Sequence, residues 1–160
     1  MILVELRTDS EQATRDLAAR LAESLLPGDV IALVGELGAG KTRFVQGLAH
    51  GLGVPEESPV TSPTFTFLAV YNQGRLPLYH CDFYRIANER ELECIGVDEY
   101  LWGEGVSVVE WADRAIDRMP ESALWVQFSF VGDGRELTFR AANERWRPVV
   151  ERLRGDSAWR

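Results

Sequence analysis

The sequence predicts an α/β fold: a three-layer domain in which helices flank a mixed parallel and antiparallel central sheet. Three observations predict it. A short apolar, β-branched run at 29–34 leads into Gly-Glu-Leu-Gly-Ala-Gly-Lys-Thr at 35–42, a complete G-x-x-x-x-G-K-[ST] loop, and then into a helical stretch at 43–50. Strand, glycine loop, helix is the order a phosphate cradle requires. A β-hairpin pattern at 64–82 puts antiparallel strands where a small-molecule kinase normally returns through a helical crossover to a parallel strand. Finally, 160 residues of which 46% are hydrophobic supply one core, so a second independent domain is not expected. The expected class is P-loop NTPase-like, one domain over 1–160 with a frayed tail at about 155–160.

Each element has a local reason. An apolar strand at 2–6 leads to Thr8-Asp9-Ser10-Glu11, where Thr8 and Glu11 have capping-box spacing. The helix that follows repeats Leu17, Leu21 and Leu25 on one face and ends at Pro27-Gly28. After the loop and its helix, Gly51, Gly53 and Pro55 break the chain, and the prolines of 59–63 forbid helix. The hairpin takes 64–71 as one strand, turns at Asn72-Gln73-Gly74-Arg75, and returns through 76–82. A short helix at 88–95 stops at Gly96, a second covers 97–102, and 106–111 reads as a buried strand that ends in an acid. Strands 124–131 and 136–140 are joined by Gly132-Asp133-Gly134-Arg135, and a last helix covers 143–154.

The loop carries the chemistry. Lys41 is the single lysine of the chain, and the other sixteen basic side chains are arginines. An ammonium is a compact point charge that can sit between β- and γ-phosphate oxygens; a guanidinium is a broad planar fork. The candidate nucleotide contacts are therefore Gly35, Glu36, Leu37, Gly38, Ala39, Gly40, Lys41 and Thr42, with Arg43 at the start of the helix. The Thr42 hydroxyl is placed to ligate Mg²⁺. The expected ligands are ATP or ADP with Mg²⁺.

Such a loop needs an acid to hold the metal shell, normally at the C-terminal end of a hydrophobic strand, where open α/β sheets place their ligands. Glu110 occupies that position. Asp82 also ends a strand, and is either a second metal-shell ligand or the group that orients the attacking water. The structural alternatives are strand-end carboxylates that face water. A net charge of −8 argues against tight direct binding of nucleic acid, although Arg140, Arg145, Arg147, Arg152, Arg154 and Arg160 gather near the C-terminus. That group reads either as a basic patch or as a solvated helix face with interspersed glutamates. No apolar stretch has transmembrane length, the N-terminus meets a charge too soon for a signal peptide, and Cys81 and Cys94 fit neither a disulfide framework nor a zinc site. A cytoplasmic protein with reduced thiols is expected.

The loop at 35–42, Ser-Pro-Thr-Phe-Thr at 62–66, His80-Cys81-Asp82-Phe83-Tyr84-Arg85, Glu89-Arg90-Glu91-Leu92-Glu93-Cys94-Ile95-Gly96 and Val109-Glu110-Trp111 together resemble the bacterial TsaE family. That family is the ATPase subunit of the machinery for threonylcarbamoyladenosine (t6A37) in tRNA. The resemblance implies Mg²⁺ held by Thr42 and Glu110, a contribution of Asp82 to hydrolysis, and switch-like behaviour of 61–64 near the γ-phosphate. It also implies that Glu11, Thr61, Trp111 and Arg135 lie near the nucleotide; their structural readings are helix cap, turn residue, core aromatic and turn cation. The implied partners are TsaD and TsaB, with tRNA met only through the complex and no membrane. Where the family has apolar residues this chain has Cys81 and Phe83, which strand alternation turns away from the Asp82 face.

The rival is a small-molecule kinase of the shikimate-kinase type, with Arg114 and Arg118 cast as lid residues; the hairpin at 64–82 opposes that topology. A GTPase is excluded on one feature. Guanine recognition of the usual kind uses Asn-Lys-x-Asp, and the one lysine here is already in the loop.

Overall fold

The computed structural model describes residues 1–94, 96–101 and 103–159. Ile95, Trp102 and Arg160, which the sequence reading assigns to the ends of two helices and to the C-terminal arginine group, lie outside the described residues. In chain order the elements are β1 (Ile2–Thr8), α1 (Glu11–Ala22), β2 (Val30–Val34), α2 (Lys41–Leu52), β3 (Leu68–Tyr71), β4 (Leu78–Asp82), α3 (Glu89–Cys94), α4 (Val97–Leu101), β5 (Val106–Glu110), β6 (Leu124–Val131), β7 (Gly134–Ala141) and α5 (Arg147–Arg154). Short 3-10 turns cover Ala112–Arg118, Glu144–Trp146 and Ser157–Trp159.

The strands form one sheet in the order β1-β7-β6-β2-β5-β4-β3. Its centre, β6-β2-β5-β4, is parallel, and antiparallel partners flank it: β7 and β1 beyond β6, and β3 beyond β4. The expected mixed sheet is thus present. Val30 to Leu33 are all buried, as a central parallel strand covered on both faces requires, whereas β1 alternates buried and exposed as an outer strand does. Ile31, Leu33, Val106 and Val108 face α1, α2 and α5, while Val30, Ala32, Cys81 and Val109 face α3, α4 and the 112–118 turn. Those two apolar clusters make the three layers. Cys81 and Phe83 lie in the second cluster, away from Asp82, as strand alternation predicts. Burial pushes the Cys81 thiol up to about 12, with the Asp82 charge adding to the effect, which leaves it inert.

Several boundaries differ from the sequence reading, each for a tertiary reason. β1 runs on to Thr8 because Thr8 pairs with Arg135 of β7, so the cap of α1 falls to Ser10, whose hydroxyl accepts from the Ala13 amide at 3.0 Å. Helix α2 starts at Lys41 and passes through Gly51 to a left-handed Gly53. It does so because it crosses α1 at backbone contact: a Cβ on Gly47 would lie 2.2 Å from the Arg15 carbonyl oxygen. β3 begins at Leu68, four residues later than the pattern of 64–71 suggests, because the preceding segment is tied to the site described below. The C-terminal tail is docked where fraying is expected, with Trp159 only 6% exposed in the main core. Arg147, Arg152 and Arg154 each pair with a solvent-facing glutamate, so the solvated-face reading of the arginine group holds for them, whereas Arg145 pairs with the buried Asp29. Among the described residues no helix is long and apolar enough to cross a membrane.

Candidate functional site

The loop 35–40 joins the C-terminal end of β2 to the first turn of α2. Gly40 holds φ at 110°, a left-handed conformation that costs a residue with a Cβ about 1–2 kcal/mol, and no side chain caps the helix there. The first amides of α2 are therefore left to a ligand, at the positive end of the helix dipole. Lys41 folds back over the loop. Its ammonium donates to the carbonyls of Gly35 at 2.5 Å and Glu36 at 2.8 Å, and sits 4.3 Å from the centre of the Trp111 ring. Burial lowers its pKa, against which the charges of Glu110, Asp113 and Asp82 act.

Two acids face this cation from neighbouring strands. Asp82 ends β4, Glu110 ends β5, and the two are direct register partners. Glu110 is 2% exposed. Its Oε2 lies 2.5 Å from His80 Nε2 and accepts from the Ser62 hydroxyl at 2.7 Å; its Oε1 accepts from the Thr42 hydroxyl at 3.2 Å. The Thr42 and Ser62 hydroxyls are themselves 2.6 Å apart. Burial pushes the Glu110 carboxyl up, yet the bonds from His80, Ser62 and Thr42 outweigh it and hold the pKa below the usual value. Asp82 has the opposite balance: burial raises its pKa and the Glu110 charge adds to that, while the Tyr84 amide at 2.8 Å and the Thr64 hydroxyl at 3.1 Å oppose it.

A cavity of about 660 Å³ opens over these groups. Lys41, Thr42, Asp82, Glu110 and Trp111 form its inner part, and Leu37, Gly38 and Gly40 its loop wall. At the outer end, Glu11 and Arg43 line it as an ion pair at 3.3 Å, and Arg135 reaches from the start of β7 toward the Gly38 carbonyl at 3.4 Å. Arg135 also lies against the Phe130 ring at 4.3 Å. Gly35 and Glu36 contribute only carbonyls to Lys41, and Ala39 is fully buried. Thr61 does not line this cavity. It is exposed and borders a separate groove of about 290 Å³ beside Arg15, Gln46 and His50, so its neighbours Ser62 and Thr64 are the residues of that segment that face the acids. Arg118 is engaged by Glu89, Glu93 and Asp98 on α3 and α4.

Among the described residues two other than glycine hold positive φ, Phe67 at 66° and Trp111 at 58°, and both adjoin the acids. Trp111 follows Glu110 directly, and the Phe67 carbonyl accepts from the Asp82 amide at 2.9 Å. Bulky residues adopt this conformation when the surroundings over-determine it, a situation that clusters at functional sites. The sequence reading holds Ser62 and Thr64 only as part of a switch-like 61–64 segment, singling out Thr61, and misses His80 and Tyr84 as site residues. Only His80 leaves a local signal, two positions before Asp82 on one strand and hence on the same face.

The donor set suits a small hard cation. Thr42, Ser62 and Glu110 bring two hydroxyls and an ionised carboxylate together, and Mg²⁺ takes oxygen ligands of this kind while drawing the rest from phosphate and water.

The family model described as "Threonylcarbamoyl adenosine biosynthesis protein TsaE" matches residues 8–137. The tRNA threonylcarbamoyladenosine biosynthesis protein TsaE of Bacillus subtilis is 45% identical over 148 residues, covering 92% of this chain and 91% of its own. The protein of that name from Treponema pallidum is 46% identical over 130 residues, 81% of this chain and 94% of its own. The crystal structure of Bacillus subtilis YdiB superposes with a TM-score of 0.79 at 39% identity, covering 96% of this chain and 95% of that one.

Proposed function

The chain belongs to the TsaE family, and from that premise we propose that it is the Mg-dependent ATPase subunit of the bacterial machinery that makes threonylcarbamoyladenosine in tRNA. In this reading ATP binding and hydrolysis reset a partner complex of TsaD and TsaB in the cytoplasm, and tRNA is met only through that complex. One observation carries the ATPase part: Lys41, Thr42, Asp82 and Glu110, which come from α2, β4 and β5, converge in one cavity over an uncapped helix start.

The chain's own residues would act as follows. The amides of the loop and of the first turn of α2 take the phosphate oxygens, and Lys41 exchanges the Gly35 and Glu36 carbonyls for the β,γ-bridge. Thr42 and Glu110 are the residues that would hold Mg²⁺, which when bound neutralises phosphate charge and fixes its geometry. Asp82, steadied by the Tyr84 amide and the Thr64 hydroxyl, aligns the attacking water. Ser62 and Thr64 tie the 62–67 segment to Glu110 and Asp82, so a change at the phosphates is felt by a segment that displays Phe65, 78% exposed, to the outside.

The test is Lys41→Ala, with ATP and ADP binding followed by a fluorescent nucleotide and turnover by phosphate release. Loss of tight binding or of turnover is expected. A variant that binds and hydrolyses as the parent does would discard the assignment.

A further inference from the structure

We propose that His80 is the positioning residue that sets the Glu110 carboxylate and thereby decides which of its two oxygens stands beside Thr42; this rests on the reading of Glu110 as the metal-holding acid. His80 is fully buried on β4 and does not line the cavity, so it touches no ligand. It shares the inner face of the strand with Asp82, and its Nε2 lies 2.5 Å from Glu110 Oε2. Ser62 donates to that same oxygen at 2.7 Å. Oε2 is thus held from two directions, and Oε1 is the oxygen left to Thr42, at 3.2 Å. A carboxylate on a two-bond stem could otherwise rotate freely, and a rotated carboxylate would not face the hydroxyl.

The ring's other nitrogen has no such partner. Nδ1 is buried with no hydrogen-bond partner among the described residues. An ionised Glu110 only accepts, so Nε2 carries a proton and donates to it. A core position with no task beyond packing would be filled more stably by an apolar ring of the same size. The lone Nδ1 is the cost of keeping the Nε2–H donor aimed at Glu110. Groups that orient a metal ligand in this way typically govern affinity by about 10–100-fold.

The experiment compares the full-length chain with His80→Phe, His80→Gln and Glu110→Ala, each saturated with ADP and titrated with Mn²⁺ while free Mn²⁺ is read by electron paramagnetic resonance. His80→Phe should bind Mn²⁺ at least about tenfold more weakly with its metal-free ADP affinity unchanged, and His80→Gln, whose amide can donate to Oε2, should recover most of that loss. Phe binding Mn²⁺ as the parent does, while Glu110→Ala loses it, overturns the role of His80 alone. Mn²⁺ retained by Glu110→Ala overturns the reading of the acid itself. A second measurement needs no variant: the chain has two histidines, and long-range ¹H–¹⁵N spectra should show one ring with a slowly exchanging proton on Nε2. Two fast-exchanging rings, or a slow one protonated at Nδ1 alone, would overturn the donation from Nε2 to Glu110.

Discussion

Replacing Ser62 by alanine severs one of the two side-chain anchors that fasten the 62–67 segment to the acids. The Ser62 hydroxyl donates to Glu110 at 2.7 Å and meets the Thr42 hydroxyl at 2.6 Å. A hydrogen bond to a charged group contributes about 1.5–3 kcal/mol net. The segment keeps the Thr64 bond to Asp82 at 3.1 Å, so only this anchor is lost. Taking about 2 kcal/mol as the loss gives a local opening equilibrium larger by about 30-fold. The reporter is the Phe67 amide, which donates to the Pro63 carbonyl at 2.8 Å and is exposed to exchange only when the segment opens. Native-state hydrogen exchange should show it exchanging faster by about that factor in Ser62→Ala, with the amides of β5 unchanged. Thr66→Ala is the control, since the Thr66 hydroxyl is exposed and makes only a 3.4 Å contact with the Leu68 carbonyl. Equal Phe67 protection in Ser62→Ala and the parent would refute the anchoring.

Asp82→Asn should keep ADP and slow turnover by about 10²–10⁴, the usual worth of a positioned acid–base group; a fully active variant removes Asp82 from the mechanism. Because burial raises the Asp82 pKa, turnover should fall on acidification at a higher pH than an ordinary aspartate dictates, and Thr64→Ala, which removes a bond favouring the charged form, should move that limb higher still; a limb that moves down contradicts this. Glu110 works in the opposite sense: its lowered pKa gives stability that is present above the ordinary glutamate pKa and is lost as pH falls through the lowered value, so the thermal-stability difference between the parent and Glu110→Gln should vary with pH across that acid window. Gly47→Ala puts a Cβ 2.2 Å from the Arg15 carbonyl, a backbone atom that cannot swing aside. Overpacking costs about 1–3 kcal/mol against about 1 kcal/mol returned by helix propensity, and a midpoint of thermal unfolding at or above the parent's would refute the close crossing of α1 and α2.

The sequence is legible where chemistry is written contiguously. Gly35 to Thr42 form the cradle because eight adjacent residues fix its backbone, and Glu110 and Asp82 are found because hydrophobic strands end at them. What depends on contacts across the fold is not legible. The Thr-Phe-Thr-Phe run at 64–67 has the composition of a strand, but hydroxyl bonds to two acids and a left-handed Phe67 override that propensity. Gly51 reads as a helix breaker because its role against the Ala19 carbonyl belongs to another helix. Thr8 and Glu11 match a capping box, yet the pairing of β1 with β7 claims Thr8 for the strand. Trp159 offers no periodic pattern at all, and only the apolar surface it meets tells it from a loose end.

The two acids are chemically alike, adjacent in register and within one cavity, yet their surroundings separate them. Glu110 receives three side-chain donors and stays charged, which suits a group that must meet a cation. Asp82 is buried with fewer donors and feels the charge of Glu110, so its pKa rises, which suits a group that handles a water proton. Environments that push neighbouring pKa values apart are how a site assigns different work to identical groups. His80 and Ser62 therefore matter beyond the bonds they make. They supply the donors that Asp82 lacks.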